Sequence, residues 1–166
     1  CDIEYVNEAR PDWCGFIIDF PRSHRSVTPD QVCSLRAGLD PAIVPVGVFV
    51  DRPAEEAAAL LNDGTIQVAQ LHGREDAAYI AALRALAPGK EIWKAFKVRS
   101  PEDLAAAAAS PADRILLDNG YGTGQSFDWS LAGSVTRPFL LAGGLTSENI
   151  PDAVARLHPY GLDLSS

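Results

Sequence analysis

An α/β fold, a (β/α)8 TIM barrel, is what this sequence predicts, on three observations. Short apolar runs alternate strictly with stretches of helical spacing, one pair roughly every 20 to 25 residues. The strand-like runs lead into polar or glycine residues: Arg25 beyond the first, then His72, Asp118, Gly143-Gly144 and Ser165. A closed barrel brings all such ends to one mouth, whereas an open doubly wound sheet gathers fewer of them at its switch point. The first strand-to-helix turn also lacks the G-x-G-x-x-G spacing of a dinucleotide fold.

Taken in order, residues 2–9 read as the end of a helix with Ile3 and Val6 on one face. Residues 13–20 are nearly continuously apolar and predict a strand. After a polar loop, Thr28 predicts a helix start, with Pro29 at the first position and Gln31 completing a capping box. Val32, Leu35 and Leu39 give that helix its apolar spacing. Strands follow at 43–50, 65–71, 91–98, 114–118, 138–142 and 160–164. Helices are expected at 53–61, with Glu55 and Glu56 in the favourable first turn, at 75–86, from Ser100-Pro101 onward, near Asp128, and at 146–157. That makes seven strands and about seven helices. A closed barrel needs eight strands. The expectation is one barrel domain over residues 1–166, incomplete at both ends, with its first strand and last helix absent from this chain.

Composition narrows the function classes. The chain has 166 residues, 47% hydrophobic and 22% charged, which suits a folded domain and excludes a disordered one. A net charge of −8 argues against nucleic acid and against an anionic membrane as partners. A small anionic substrate stays compatible, because a local site can oppose the global charge. The three cysteines, Cys1, Cys14 and Cys33, are odd in number and form no C-x-x-C pair. Neither a disulfide framework nor a zinc site is expected, and a reducing cytoplasm is the natural compartment. No apolar run reaches the ~20 residues that span a bilayer. The start, Cys-Asp-Ile-Glu-Tyr, shows no secretory signal, and with no methionine anywhere the natural start is expected upstream.

One stretch carries the most chemistry. Ile115-Leu116-Leu117 reads as a strand buried on both faces that delivers Asp118 to its C-terminal end. Gly120, Gly122 and Gly124 follow in a loop too rich in glycine to be a stiff turn, and Phe127-Asp128-Trp129 restarts order. An acid at a strand end otherwise caps or turns the chain.

The order of motifs resembles phosphoribosylanthranilate isomerase. They are Gly15-Phe16 with Phe20-Pro21-Arg22-Ser23-His24-Arg25, Val46-Gly47-Val48-Phe49-Val50, Gln70-Leu71-His72-Gly73, Lys94-Ala95-Phe96, Leu116-Leu117-Asp118, Gly122-Thr123-Gly124 with Phe127-Asp128-Trp129, Leu141-Ala142-Gly143-Gly144-Leu145 and Asp163-Leu164-Ser165-Ser166. The resemblance implies a single-domain barrel enzyme of tryptophan biosynthesis. It would convert N-(5-phosphoribosyl)anthranilate to 1-(2-carboxyphenylamino)-1-deoxyribulose 5-phosphate by an Amadori rearrangement, with acid–base catalysis and no metal or organic cofactor.

The resemblance makes Asp118 the general acid that protonates the ring oxygen, under a lid formed by residues 119–125. Such an acid must hold a proton part of the time near neutral pH, which implies a raised pKa. Arg25 matches the arginine that receives the anthranilate carboxylate, although an arginine in a polar loop is otherwise an ordinary surface residue. Gly143 and Gly144, with Ser165 and Ser166, match loops whose backbone N–H groups hold phosphate. The glycine that the family carries after the second serine is not in this chain. His72 either contacts substrate or bonds neighbouring strand ends, and Asp163 has no assigned role.

The family's base is a cysteine in a Lys-x-Cys-Gly motif ending the first strand, and this sequence does not display it. Cys14-Gly15 imitates the dipeptide, but Asp12 stands where lysine belongs, and Cys14 falls at the beginning of a strand. Cys14 and Cys33 read as ordinary small residues. A monomer, a homodimer, and fusion or association with a neighbouring tryptophan-pathway enzyme are all compatible with the sequence. Two other readings stand beside the isomerase. One is a non-catalytic truncated barrel that binds phosphate or a partner. The other is a related phosphate barrel such as indole-glycerol-phosphate synthase, which relies on a catalytic lysine and acidic residues and which the strand of Lys94 does not otherwise match.

Overall fold

In the computed structural model, which describes residues 2–118 and 135–164, strands and helices alternate as the sequence predicts. The chain forms two compact units, Cys1–Trp93 and Lys94–Ser166. Among the described residues there are seven strands and six helices. The helix expected near Asp128 and the glycine loop before it lie outside the described residues.

The first unit contains α1 (Asp2–Ala9), β1 (Trp13–Ile17), α2 (Pro29–Arg36), β2 (Val44–Phe49), α3 (Ala54–Asn62), β3 (Val68–Leu71) and α4 (Ala77–Leu86), and ends inside β4 (Glu91–Lys97). β1 pairs in parallel with β2, and β2 with β3, so their C-terminal ends share one edge. The helix starts follow from local chemistry. Thr28 Oγ1 accepts the Gln31 N–H at 3.3 Å and Gln31 Oε1 accepts the Thr28 N–H at 2.8 Å, the expected capping box. Asp76 caps α4 by accepting the Tyr79 N–H at 2.9 Å.

Phe49, Leu61, Ile66, Leu71, Ile80 and Leu83 are almost fully buried in this unit. Each removes about 1.5–3 kcal/mol worth of apolar surface from water. Gly47 is part of that fit. A Cβ there would stand 2.6 Å from Ile66 Cδ1 and 2.8 Å from Phe49 Cε2, so β2 accepts only glycine against this layer. Trp13 and Trp93 meet edge to face with centroids 5.4 Å apart, and Trp93 Nε1 donates to Glu91 Oε1 at 2.7 Å.

The second unit begins with the rest of β4 and continues through α5 (Pro101–Ala108), β5 (Arg114–Asp118), β6 (Phe139–Ala142), α6 (Ile150–Leu157) and β7 (Gly161–Leu162). β5, β6 and β7 pair in parallel. Ser100 caps α5 in a capping box with Asp103, and Pro101 sits where its missing N–H costs nothing. Ile115, Leu117, Phe139 and Leu141 pack with Leu104, Ala107 and Ala153 from the two helices. Leu116 and Leu140 point to the other face by the two-residue period, and they are buried as well. This is the doubly buried strand expected around Ile115–Leu117.

Several boundaries differ from expectation: β1 ends at Ile17 rather than 20, α4 begins at Ala77 rather than 75, β7 covers only 161–162, and two more have a plain physical reason. α6 begins at Ile150 rather than 146, because Thr146 N–H donates to Asn149 Oδ1 at 2.8 Å and the segment bonds itself into a turn. β3 begins at Val68 rather than 65, because Thr65 N–H turns back to Asp63 Oδ1 at 2.8 Å and Ile66 N–H to Leu60 O at 3.1 Å.

Candidate active site

In the second unit, Asp118 is the last residue of β5 and pairs with Ala142 at the end of β6. Its backbone carbonyl accepts the Val98 N–H at 2.8 Å, which fixes the strand end. Strand alternation places its side chain with Leu116, on the face opposite Ile115 and Leu117 and therefore away from the helix-packed cluster. The half-buried carboxylate stands at a strand end beside buried apolar surface. Asp163 follows β7 and donates its N–H to Leu141 O at 2.8 Å.

Gly143 and Gly144 follow β6 directly, with φ of 81° and 65°. Two left-handed residues in succession are conformations that glycine adopts without strain, so the turn needs this pair. Asn149 fastens it by donating from Nδ2 to Gly144 O at 2.9 Å. Ser165 and Ser166, the other half of the expected phosphate loop, lie outside the described residues. Lys94 is buried at 6% exposure, with its Nζ 5.8 Å from the Phe96 ring centroid. A cavity of about 360 Å³ lies among Arg137, Phe139, Leu157 and Tyr160, at the start of β6 and so at the opposite end of that strand from Ala142 and its neighbour Asp118.

In the first unit, Arg25 is exposed in the loop between β1 and α2. The loop is stitched at its neck, where Val27 N–H donates to Ile17 O at 2.8 Å and Asp19 N–H to Val27 O at 3.0 Å. Inside it, Ser26 Oγ accepts the Phe20 N–H at 2.8 Å and Ser23 Oγ accepts the Arg25 N–H at 3.2 Å. These bonds hold the backbone at Arg25 and leave its position set by the loop rather than by a strand.

His72 follows β3 and donates its backbone N–H to Phe49 O at 2.8 Å. Its Nδ1 lies 3.2 Å from Nε2 of buried Gln70, two residues earlier on the same face. Next to it is a feature that sequence reading missed. Glu75, 6% exposed, accepts the Asp51 N–H at 2.7 Å with one oxygen and the Gly73 N–H at 2.8 Å with the other. Asp51, at φ 52°, returns the bond by accepting the Arg74 N–H at 2.6 Å. Nothing in the sequence announces this pairing, because its two carboxylates are far apart along the chain.

Cys14 is the second residue of β1, at the N-terminal edge. Burial pushes its thiol above the usual range, the opposite of what activates a thiolate nucleophile or base. Cys33 is exposed on α2. Among the described residues no cluster of three or more His, Cys, Asp or Glu could hold a metal ion, and no helix is long and apolar enough to cross a membrane.

A family model described as N-(5'-phosphoribosyl)anthranilate (PRA) isomerase matches residues 5–166. The chain belongs to this family. The N-(5'-phosphoribosyl)anthranilate isomerase of Endomicrobium trichonymphae is 39% identical over 170 residues, covering 99% of this chain and 82% of that relative. A crystal structure of phosphoribosyl anthranilate isomerase with reduced 1-(o-carboxyphenylamino)-1-deoxyribulose 5-phosphate superposes with a TM-score of 0.84 at 28% identity, over 99% of this chain and 81% of that one. A monomeric form of the dimeric enzyme from Thermotoga maritima gives a TM-score of 0.82 at 28% identity, over 99% and 80% of the two chains. The fold is therefore that of the phosphoribosylanthranilate isomerases, the (β/α)8-barrel class that strand–helix alternation predicted.

Proposed function

We infer that the chain isomerises N-(5-phosphoribosyl)anthranilate to 1-(2-carboxyphenylamino)-1-deoxyribulose 5-phosphate in tryptophan biosynthesis. The observation that carries this is the family match from residue 5 to residue 166, with Asp118 inside the matched span at a strand end. Membership at that coverage also disfavours a barrel that merely binds phosphate.

Asp118 is assigned the proton transfer to the furanose ring oxygen, which breaks the C1–O bond and leaves an iminium at C1. Removal of the C2 proton then gives the enolamine, which tautomerises to the aminoketose. Arg25 is assigned the anthranilate carboxylate, for which a guanidinium offers two parallel donors. Gly143 and Gly144, with Ser165 and Ser166, are assigned the phosphate, and His72 a contact to the substrate. The place of Asp118 at the end of β5, on the face away from the helix-packed cluster, supports the acid role. Free Cys14 and Cys33 suit a reducing cytoplasm.

Incubating the full-length protein with freshly made N-(5-phosphoribosyl)anthranilate and separating aldose from ketose by chromatography tests the assignment. Catalysed appearance of the aminoketose is expected. Conversion no faster than in buffer would overturn it.

A further inference from the structure

We propose that Glu75 is a positioning residue for this isomerase, its carboxylate strapping the ends of β2 and β3 together and so setting the place of His72. The proposal rests on the reading of His72 as a substrate contact. Burying a carboxylate is costly unless hydrogen bonds replace its water. Glu75 meets that cost with backbone amides from two separate loops, those of Asp51 and Gly73. The strap is reciprocal, because Asp51 Oδ1 accepts the Arg74 N–H at 2.6 Å and Oδ2 lies 3.2 Å from Arg74 Nε.

His72 sits between fixed points. Before it, Leu71 is buried in β3 and paired with Phe49. After it, Gly73 is held by Glu75, in a space where a Cβ would come within 2.7 Å of the Asp51 backbone nitrogen. Its ring is met by Gln70. A carboxylate is required for this geometry. A glutamine of the same size would present one acceptor and one donor to two N–H groups, and one of the two bonds would be lost.

The test is a double-mutant cycle on kcat and KM with Glu75→Gln and His72→Ala in the full-length enzyme, with melting temperatures measured alongside. If Glu75 acts through His72, Glu75→Gln lowers kcat/KM by roughly ten- to a hundred-fold. It also changes kcat and KM in the same proportion as His72→Ala does, and the double variant is no worse than His72→Ala alone to within about two-fold. Effects that multiply would overturn the proposal. So would a Glu75→Gln enzyme with wild-type kcat/KM and a lowered melting temperature.

Should Glu75→Gln not fold, Glu75→Asp enters the same cycle. Aspartate keeps the charge but is one methylene shorter, so it cannot hold both the Asp51 and the Gly73 N–H groups, and the same two outcomes decide. The two readings fail differently. A wild-type protein without turnover removes the isomerase assignment, whereas an active wild type with unchanged kcat/KM in His72→Ala removes this proposal alone.

Discussion

Replacing Gly73 by alanine inserts a methyl group into the strap. Its Cβ would lie 2.5 Å from Asp51 Oδ1, 2.7 Å from Asp51 N and 2.9 Å from Glu75 Oε1. Ordinary contact needs about 3.4 Å or more, so the loops must part by roughly 0.7–0.9 Å. The Asp51-to-Glu75 and Arg74-to-Asp51 bonds, at 2.7 and 2.6 Å, do not survive such a shift. Hydrogen bonds to charged groups contribute about 1.5–3 kcal/mol each, and the Arg74 bond is discounted because it is exposed. The expected loss is about 2–4 kcal/mol. Gly73 does not have a positive φ, so the cost is steric and not conformational.

Urea unfolding followed by tryptophan fluorescence should show the midpoint falling by about 1–2 M. Gly38→Ala is the matched control. Its nearest neighbours would be 3.5 and 3.7 Å away, and its midpoint should stay within about 0.3 M of the wild type. A Gly73→Ala protein as stable as the control would refute the reasoning about the strap.

Three further predictions follow from individual side chains. Arg25→Ala should raise KM by roughly ten- to a hundred-fold, the loss of a charged hydrogen-bonding partner, with little change in melting temperature; an unchanged KM with a collapsed melting temperature would return Arg25 to a structural role. Tyr79, whose hydroxyl has no hydrogen-bond partner among the described residues, has its pKa pushed up to about 12 by burial first and then by Glu75, Glu55 and Glu56. The neutral phenol is therefore favoured in the fold, so its contribution to stability is full below about pH 10 and is lost as pH rises toward about 12. Tyr79→Phe should unfold like the wild type at pH 7 and resist alkali better, and identical alkaline profiles would contradict this. Burial keeps the Cys14 thiol protonated, so at pH 8 a thiol reagent should label Cys33 well before Cys14, as peptide mass mapping would show.

What could be read from the sequence was local. Thr28-Pro29 with Gln31, and Ser100-Pro101 with Asp103, announce helix starts because each cap is closed within four residues. Ile115–Leu117 announces a buried strand because both faces are apolar. Thr146-Ser147-Glu148-Asn149 misled for the same reason: its polar side chains satisfy backbone groups as well in a turn as in a helix. The strap between Asp51 and Glu75 was invisible, since only the parallel pairing of β2 with β3 brings the two loops together. The positions of Asp118 and Gly143-Gly144 at strand ends could be read because a strand end followed by glycine is a local signal. Arg25 was singled out only through its neighbours in a matched motif, as nothing in an exposed loop dictates an arginine.

The central claim is that Asp118 supplies the proton that opens the ring. Single-turnover and steady-state kinetics of Asp118→Asn in the full-length enzyme test it most directly, alongside titration with a stable product analogue. Asparagine keeps the size of the side chain and removes the transferable proton, so kcat should fall by about 100- to 10,000-fold while the analogue binds within a few-fold of the wild type. A kcat within a few-fold of the wild type would take Asp118 out of the mechanism and the account with it.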